Sequence, residues 1–161
     1  MKFKKSLAKV VAAVSLAFAG FVAVNTVNTR NNTVQAASKT SQCNKVVSLA
    51  KKQVGKRYVY GATGPNAFDC SGLTSYVYSH AIGKYISRTT YSQVYQGKTV
   101  KVSTASLKKG DLLFWGSKFS PYHVGIYVGG GQYVHAATPS QGVRKQYLSS
   151  YFWPSSAKRI I

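Results

Sequence analysis

The apolar residues of this chain change period once, near Gly97, and that switch limits the possible folds more than any other feature. Before Gly97 they recur at helical spacing. Val46, Val47, Ala50 and Val54 share one face of a helix expected over 43–54, which Gly55 closes. Leu73, Tyr76, Val77 and Ala81 share one face of a second helix, with Asp69 as its N-cap and Gly83 at its end. Thr89–Gln96 reads as a short third helix. After Gly97 the pattern turns to strands, expected at 99–102, 111–115, 122–128, 131–137, 143–147 and 157–161. Helices first and strands second, with short connections, predict an α+β domain built on an antiparallel sheet. Arg57–Gly61 reads as extended, and Gly61–Asn66 as a loop. No internal repeat and no second module is visible.

The N-terminus has a different character. Lys2, Lys4, Lys5 and Lys9 precede Val10–Val24, an uncharged and mostly apolar stretch of 15 residues. A polar stretch then leads to Val34-Gln35-Ala36-Ala37. This is the pattern of an export signal, cleaved after Ala36. A membrane-spanning helix needs about 20 apolar residues, more than this stretch supplies. The expected organisation is a signal peptide at 1–36, a short polar tail at 37–44 and one domain at 45–161. No stable membrane anchor is expected after cleavage.

Charge narrows the function. The chain holds 22 Lys and Arg against 2 acidic residues, a net charge of +20, and contains no Glu. Asp69 and Asp111 are its only side-chain carboxylates. A two-carboxylate glycosidase is excluded unless those two meet in space. A carboxylate-built magnesium or calcium site is disfavoured as well. Loss of residues 1–36 removes five basic residues and leaves seventeen against two, a net charge of +15. Such a field draws the protein to anionic polymers. Export and the scattered placement of the basic residues argue against nucleic acid as the partner.

The chemistry centres on Cys70, in Phe68-Asp69-Cys70-Ser71-Gly72-Leu73. His123 and His135 follow in strand-like sequence, as His123-Val124-Gly125-Ile126-Tyr127 and Tyr133-Val134-His135-Ala136. The thiolate is the reactive form of cysteine, and a helix N-terminus or a paired histidine favours it. Taken singly, these residues read as a small buried cysteine and core histidines. His80 lies about three turns along the helix from Cys70, a position expected to be structural. Two cysteines in an exported chain raise the question of a Cys43–Cys70 disulfide, but a catalytic Cys70 has to be free.

The ordered blocks resemble the NlpC family of papain-like cysteine peptidases of bacterial cell walls. Tyr58-Val59-Tyr60-Gly61, Asp69-Cys70-Ser71-Gly72-Leu73, Ser87-Arg88-Thr89-Thr90, Gly110-Asp111-Leu112-Leu113-Phe114 and His123-Val124-Gly125-Ile126-Tyr127 carry the likeness. It implies a papain-like fold in which helices bearing the nucleophile pack on the sheet. It implies Cys70 as nucleophile, His123 as general base and His135 as the group that orients His123. Tyr58 would position substrate or donate to the oxyanion. Asp69 and Ser71 would contact a substrate amine, and Arg88 a substrate carboxylate. Capping the helix remains equally open for Asp69, and bracing it is the favoured reading of Arg88. Ala62 stands where the family usually has a second glycine. The activity implied is endopeptidase cleavage of peptidoglycan stem peptides between D-γ-glutamyl and a diamino acid, by a secreted, wall-associated monomer without metal or organic cofactor. Two rivals keep the same fold: a non-catalytic cationic wall-binding protein, and an acyltransferase or amidase working through the same thioester.

Overall fold

A computed structural model of the chain describes residues 33–161. Its helical part ends, and its sheet begins, where the period changes. Residues 33–52 are helical (α1), followed by the short strands β1 (Arg57–Tyr58) and β2 (Ala67–Phe68), which pair in parallel. Then come α2 (Cys70–Ile82) and α3 (Thr90–Gln93). Six strands complete the chain: β3 (Lys98–Val100), β4 (Leu112–Gly116), β5 (Pro121–Gly129), β6 (Gln132–Ala136), β7 (Val143–Tyr147) and β8 (Ser156–Arg159). Each expected element is present. β1 lies in the segment expected to be extended, whereas β2 and its pairing with β1 are additions, too short to leave a periodic signal.

Residues 37–44, expected as a polar tail, are helical instead. No Gly or Pro interrupts 33–52, and Ala36, Ala37, Lys39 and Gln42 all favour helix. Thr40–Ile161 form one compact unit, and residues 33–39 belong to a separate one. The core side of α1 begins at Val46. Nearly all of the expected signal segment lies outside the described residues. Among the described residues no helix is long and apolar enough to cross a membrane.

The six strands form one antiparallel sheet in the order β3-β8-β4-β5-β6-β7. The last strand thus returns between β3 and β4. Asp111 fixes that return: it accepts from Lys108 N–H at 2.8 Å and takes Arg159 at 2.9 and 2.7 Å. Alternation gives the sheet two apolar faces. Leu112, Phe114, Val124, Ile126, Val134 and Ala136 pack with Leu73, Val77 and Tyr78 of α2 and with Val46 and Ala50 of α1. Leu113, Trp115, Tyr127 and Tyr133 form a second cluster, joined by Leu148 and Phe152. By strand parity, His123 and His135 belong to this second face.

Candidate active site

Cys70 is the first residue of α2, and its position is fixed from three directions. Asp69 caps the helix, its Oδ1 accepting from Gly72 N–H at 2.6 Å. The loop before it is tied back, with Asp69 N–H donating to Ala62 O and Gly61 N–H donating to Asp69 Oδ2, both at 2.9 Å. This close approach explains Gly72: a Cβ there would stand 2.2 Å from Ala62 O. Ala62 itself needs no positive φ, so the change from a glycine pair carries no backbone strain. Finally Gln93 on α3, fully buried, donates to Ser71 O and Ser87 O and accepts from Thr74 Oγ1.

The cation facing Asp69 is Arg88. Its guanidinium grips the carboxylate through two bonds, of 3.0 and 2.5 Å, and donates to Ser71 Oγ at 2.9 Å. Both oxygens of Asp69 are therefore engaged. Asp111, the other carboxylate, is bound to Arg159. Each acid has its own arginine and its own backbone donors, so no paired-carboxylate centre forms.

The histidines come from β5 and β6. His123 Nε2 lies 2.7 Å from His135 Nδ1, and His135 Nε2 is hydrogen-bonded to Gln146 Oε1 on β7. Trp115, the register partner of His123 on β4, packs its ring 5.4 Å from the imidazole. Gly125 makes room for this pairing. A Cβ there would meet Tyr133 at 3.1 Å and His135 Cβ at 3.2 Å.

Cys70, His123 and His135 face one cleft of about 570 Å³, with Tyr58, Gln146 and Phe152 among its walls. Burial pushes the Cys70 thiol up, and the N–H groups of Val124, Ser71 and Cys70 itself work against that. Burial draws His123 down to about 3 and His135 to about 4. Thiol and imidazoles are thus neutral at rest, which suits deprotonation of the thiol at the moment of attack. Burial likewise raises the Tyr58 phenol, followed by the influence of Cys70 and Asp69, so it keeps its proton as a donor.

Of the seven residues expected in the site, Tyr58, Cys70, His123 and His135 share the cleft. Asp69, Ser71 and Arg88 are grouped with one another and are not among its walls. His80 is exposed, stacked on Tyr76 at 4.0 Å, away from the cleft. Cys43 and Cys70 are both free thiols. Gln146 was not expected. Strand alternation could place it on one face with Arg144, but only the register of β6 and β7 brings it to His135.

The sequence model of the NlpC/P60 family matches residues 55–161. Protein P54 of Enterococcus faecium is 48% identical over 62% of this chain and 19% of its own length. The gamma-DL-glutamyl hydrolase of Bacillus subtilis is 37% identical over 71% of this chain and 28% of its own. The chain thus spans well under half the length of these curated relatives. Among solved structures, the NlpC/p60 domain of the peptidoglycan hydrolase SagA superposes with a TM-score of 0.67 at 42% identity. It covers 73% of this chain and 97% of that domain. The peptidoglycan hydrolase RipB of Mycobacterium tuberculosis gives a TM-score of 0.66 at 27% identity, over 78% of this chain and 67% of its own.

Proposed function

This chain belongs to the NlpC/P60 family, and from that premise we propose that it is a secreted cysteine endopeptidase hydrolysing peptidoglycan stem peptides at the D-γ-glutamyl–diamino acid bond. The observation that carries the reading is the shared cleft. A helix-start thiol and a neutral imidazole line the same cleft, and the imidazole is itself held by a second one.

His123 Nδ1, the ring nitrogen not engaged by His135, takes the thiol proton as the sulfur attacks the scissile carbonyl. The carbonyl oxygen becomes an oxyanion, stabilised by the Cys70 N–H and the Tyr58 hydroxyl. As the C–N bond breaks, His123 returns the proton to the leaving amine, and a thioester remains. Water then attacks the thioester with His123 again as base, releasing the carboxylate product and the thiol. Asp69, Ser71 and Arg88 brace the turn that carries the nucleophile. A substrate amine could reach Asp69 only by displacing Arg88, whereas the half-exposed guanidinium keeps N–H groups free for a substrate carboxylate.

The net charge of +15 on residues 37–161 supports electrostatic retention on an anionic wall. The γ-glutamyl bond is supported by the name of the Bacillus relative, whose activity it describes. Digestion of peptidoglycan of defined stem composition, with fragments identified by mass, tests the proposal. Cuts between D-glutamate and the diamino acid are expected. Cuts in the glycan, or an unaltered wall, would overturn it.

A further inference from the structure

His135 orients His123, but nothing in an imidazole pair says which way its protons run. Each neutral ring has one N–H and one bare nitrogen. The 2.7 Å contact between His123 Nε2 and His135 Nδ1 needs one proton, and either ring could supply it. If His135 supplies it, His123 carries its own proton on Nδ1 and cannot accept one from Cys70. The relay then has the right atoms in the right places and no base.

The choice is made one residue further out. The side-chain oxygen of Gln146 faces His135 Nε2, and an amide oxygen only accepts. His135 therefore carries its proton on Nε2, and its Nδ1 is bare. His123 Nε2–H donates to that nitrogen, which leaves His123 Nδ1 bare, the nitrogen proposed above to take the thiol proton. We infer that Gln146 is a positioning residue that sets the proton order of the whole relay, and so makes His123 a base. This rests on the cysteine peptidase reading above.

The surroundings explain why an amide serves here. In comparable relays an acid often holds the last ring, but both acids of this chain are bound to arginines elsewhere. Arg144 pairs with His135 across β6 and β7, and its charge disfavours a second cation. His123 lies on one side of the His135 ring, and Tyr133 packs 4.7 Å away. Tyr58 and Cys70 complete the cleft. Gln146 accepts the proton of His135 without adding charge to this group. It is opposite Tyr133 in the register, so it reaches His135 on the diagonal.

The test compares Gln146→Leu and Gln146→Glu with the unaltered protein, together with nitrogen-15 spectra of the histidine rings. The spectra should show His123 and His135 both protonated on Nε2, a result that does not depend on the substrate. Nδ1–H on either ring would overturn the inference even if the protein cleaves peptidoglycan. Cleavage failing while the spectra hold would overturn the peptidase reading alone. Gln146→Leu should lower kcat by about 10- to 100-fold with little change in KM. Gln146→Glu keeps an acceptor at Nε2, so it should stay close to the unaltered kcat at alkaline pH. Its added anion favours the His135 cation, so the acid limb of its pH profile should move up by about one unit or more. An unchanged kcat in Gln146→Leu, equal losses in both variants at every pH, or a change in KM alone would each overturn the positioning role.

Discussion

Cys43 and Cys70 are the same side chain in two settings that share more than the sequence suggests. Each lies near one of the two carboxylates and its arginine, Cys43 by Asp111–Arg159 and Cys70 by Asp69–Arg88. Burial raises both thiols, and the neighbouring Asp raises each further. The difference lies in what else faces the sulfur. Cys70 begins its helix, where three backbone N–H groups favour its thiolate, and opens onto a cleft with His123. Cys43 lies within α1, against the turn at Gly110, with no histidine among the groups acting on it. The reactivity proposed for Cys70 thus rests on an acceptor for the proton and donors for the anion, not on the thiol or its ion pair.

The largest expected effect separates the two cysteines. Cys70→Ala should abolish peptidoglycan cleavage, a loss beyond about 1,000-fold, and His123→Ala should nearly match it. Cys43→Ser should leave the rate within about two-fold. Turnover of one purified wall substrate measures all three. A dead Cys43→Ser that is folded would show that the comparison misjudges Cys43.

A smaller effect separates His135 from His123. His135→Asn and His135→Gln should keep a partial rate, about 10- to 100-fold down, because an amide oxygen can still accept from His123. His135→Ala should be worse than either. Melting curves run alongside the kinetics exclude unfolding as the cause. If His135→Asn is as inactive as Cys70→Ala, His135 does more than orient.

The two ion pairs sharpen the comparison further. Asp69→Ala removes a helix cap and strands Arg88, and Asp111→Ala strands Arg159. Each should cost roughly 1–4 kcal/mol of stability, measured by denaturant unfolding. Activity per folded molecule should fall only in Asp69→Ala, since that pair alone holds the nucleophile's turn. Equal activity losses would mean that both pairs reach the site.

The last effect is a slope. His123 and His135 have folded-state values of about 3 and 4, below the ordinary 6.5. Between those limits the unfolded chain binds more protons than the folded one, so stability rises with pH there. Their contribution is complete above about pH 6.5 and is lost as pH falls toward 3–4. Thermal melts across that range should flatten when both histidines are replaced by Gln. An unchanged slope would place the acid sensitivity elsewhere.

Periodicity and motif spacing made much of this fold legible in the sequence. Those signals are local: a period of 3.6 or 2 survives in any stretch of chain long enough to repeat it. They placed α2 and its cap at Asp69, the six strands, and Cys70 at the start of its helix. The motif blocks further implied His123 and His135 as its partners. Local signals failed at residues 37–44, where polarity looked like a tail although nothing there interrupts a helix. They were silent on β2 and its pairing with β1, and on whether Asp69 would face substrate or Arg88. Tertiary structure alone decided the insertion of β8 between β3 and β4, the pairing of each carboxylate with its own arginine, and the arrival of Gln146 at His135. All three depend on which strands and loops meet across space, and a side chain's partner there is set by packing of both sheet faces, which no single stretch of sequence records.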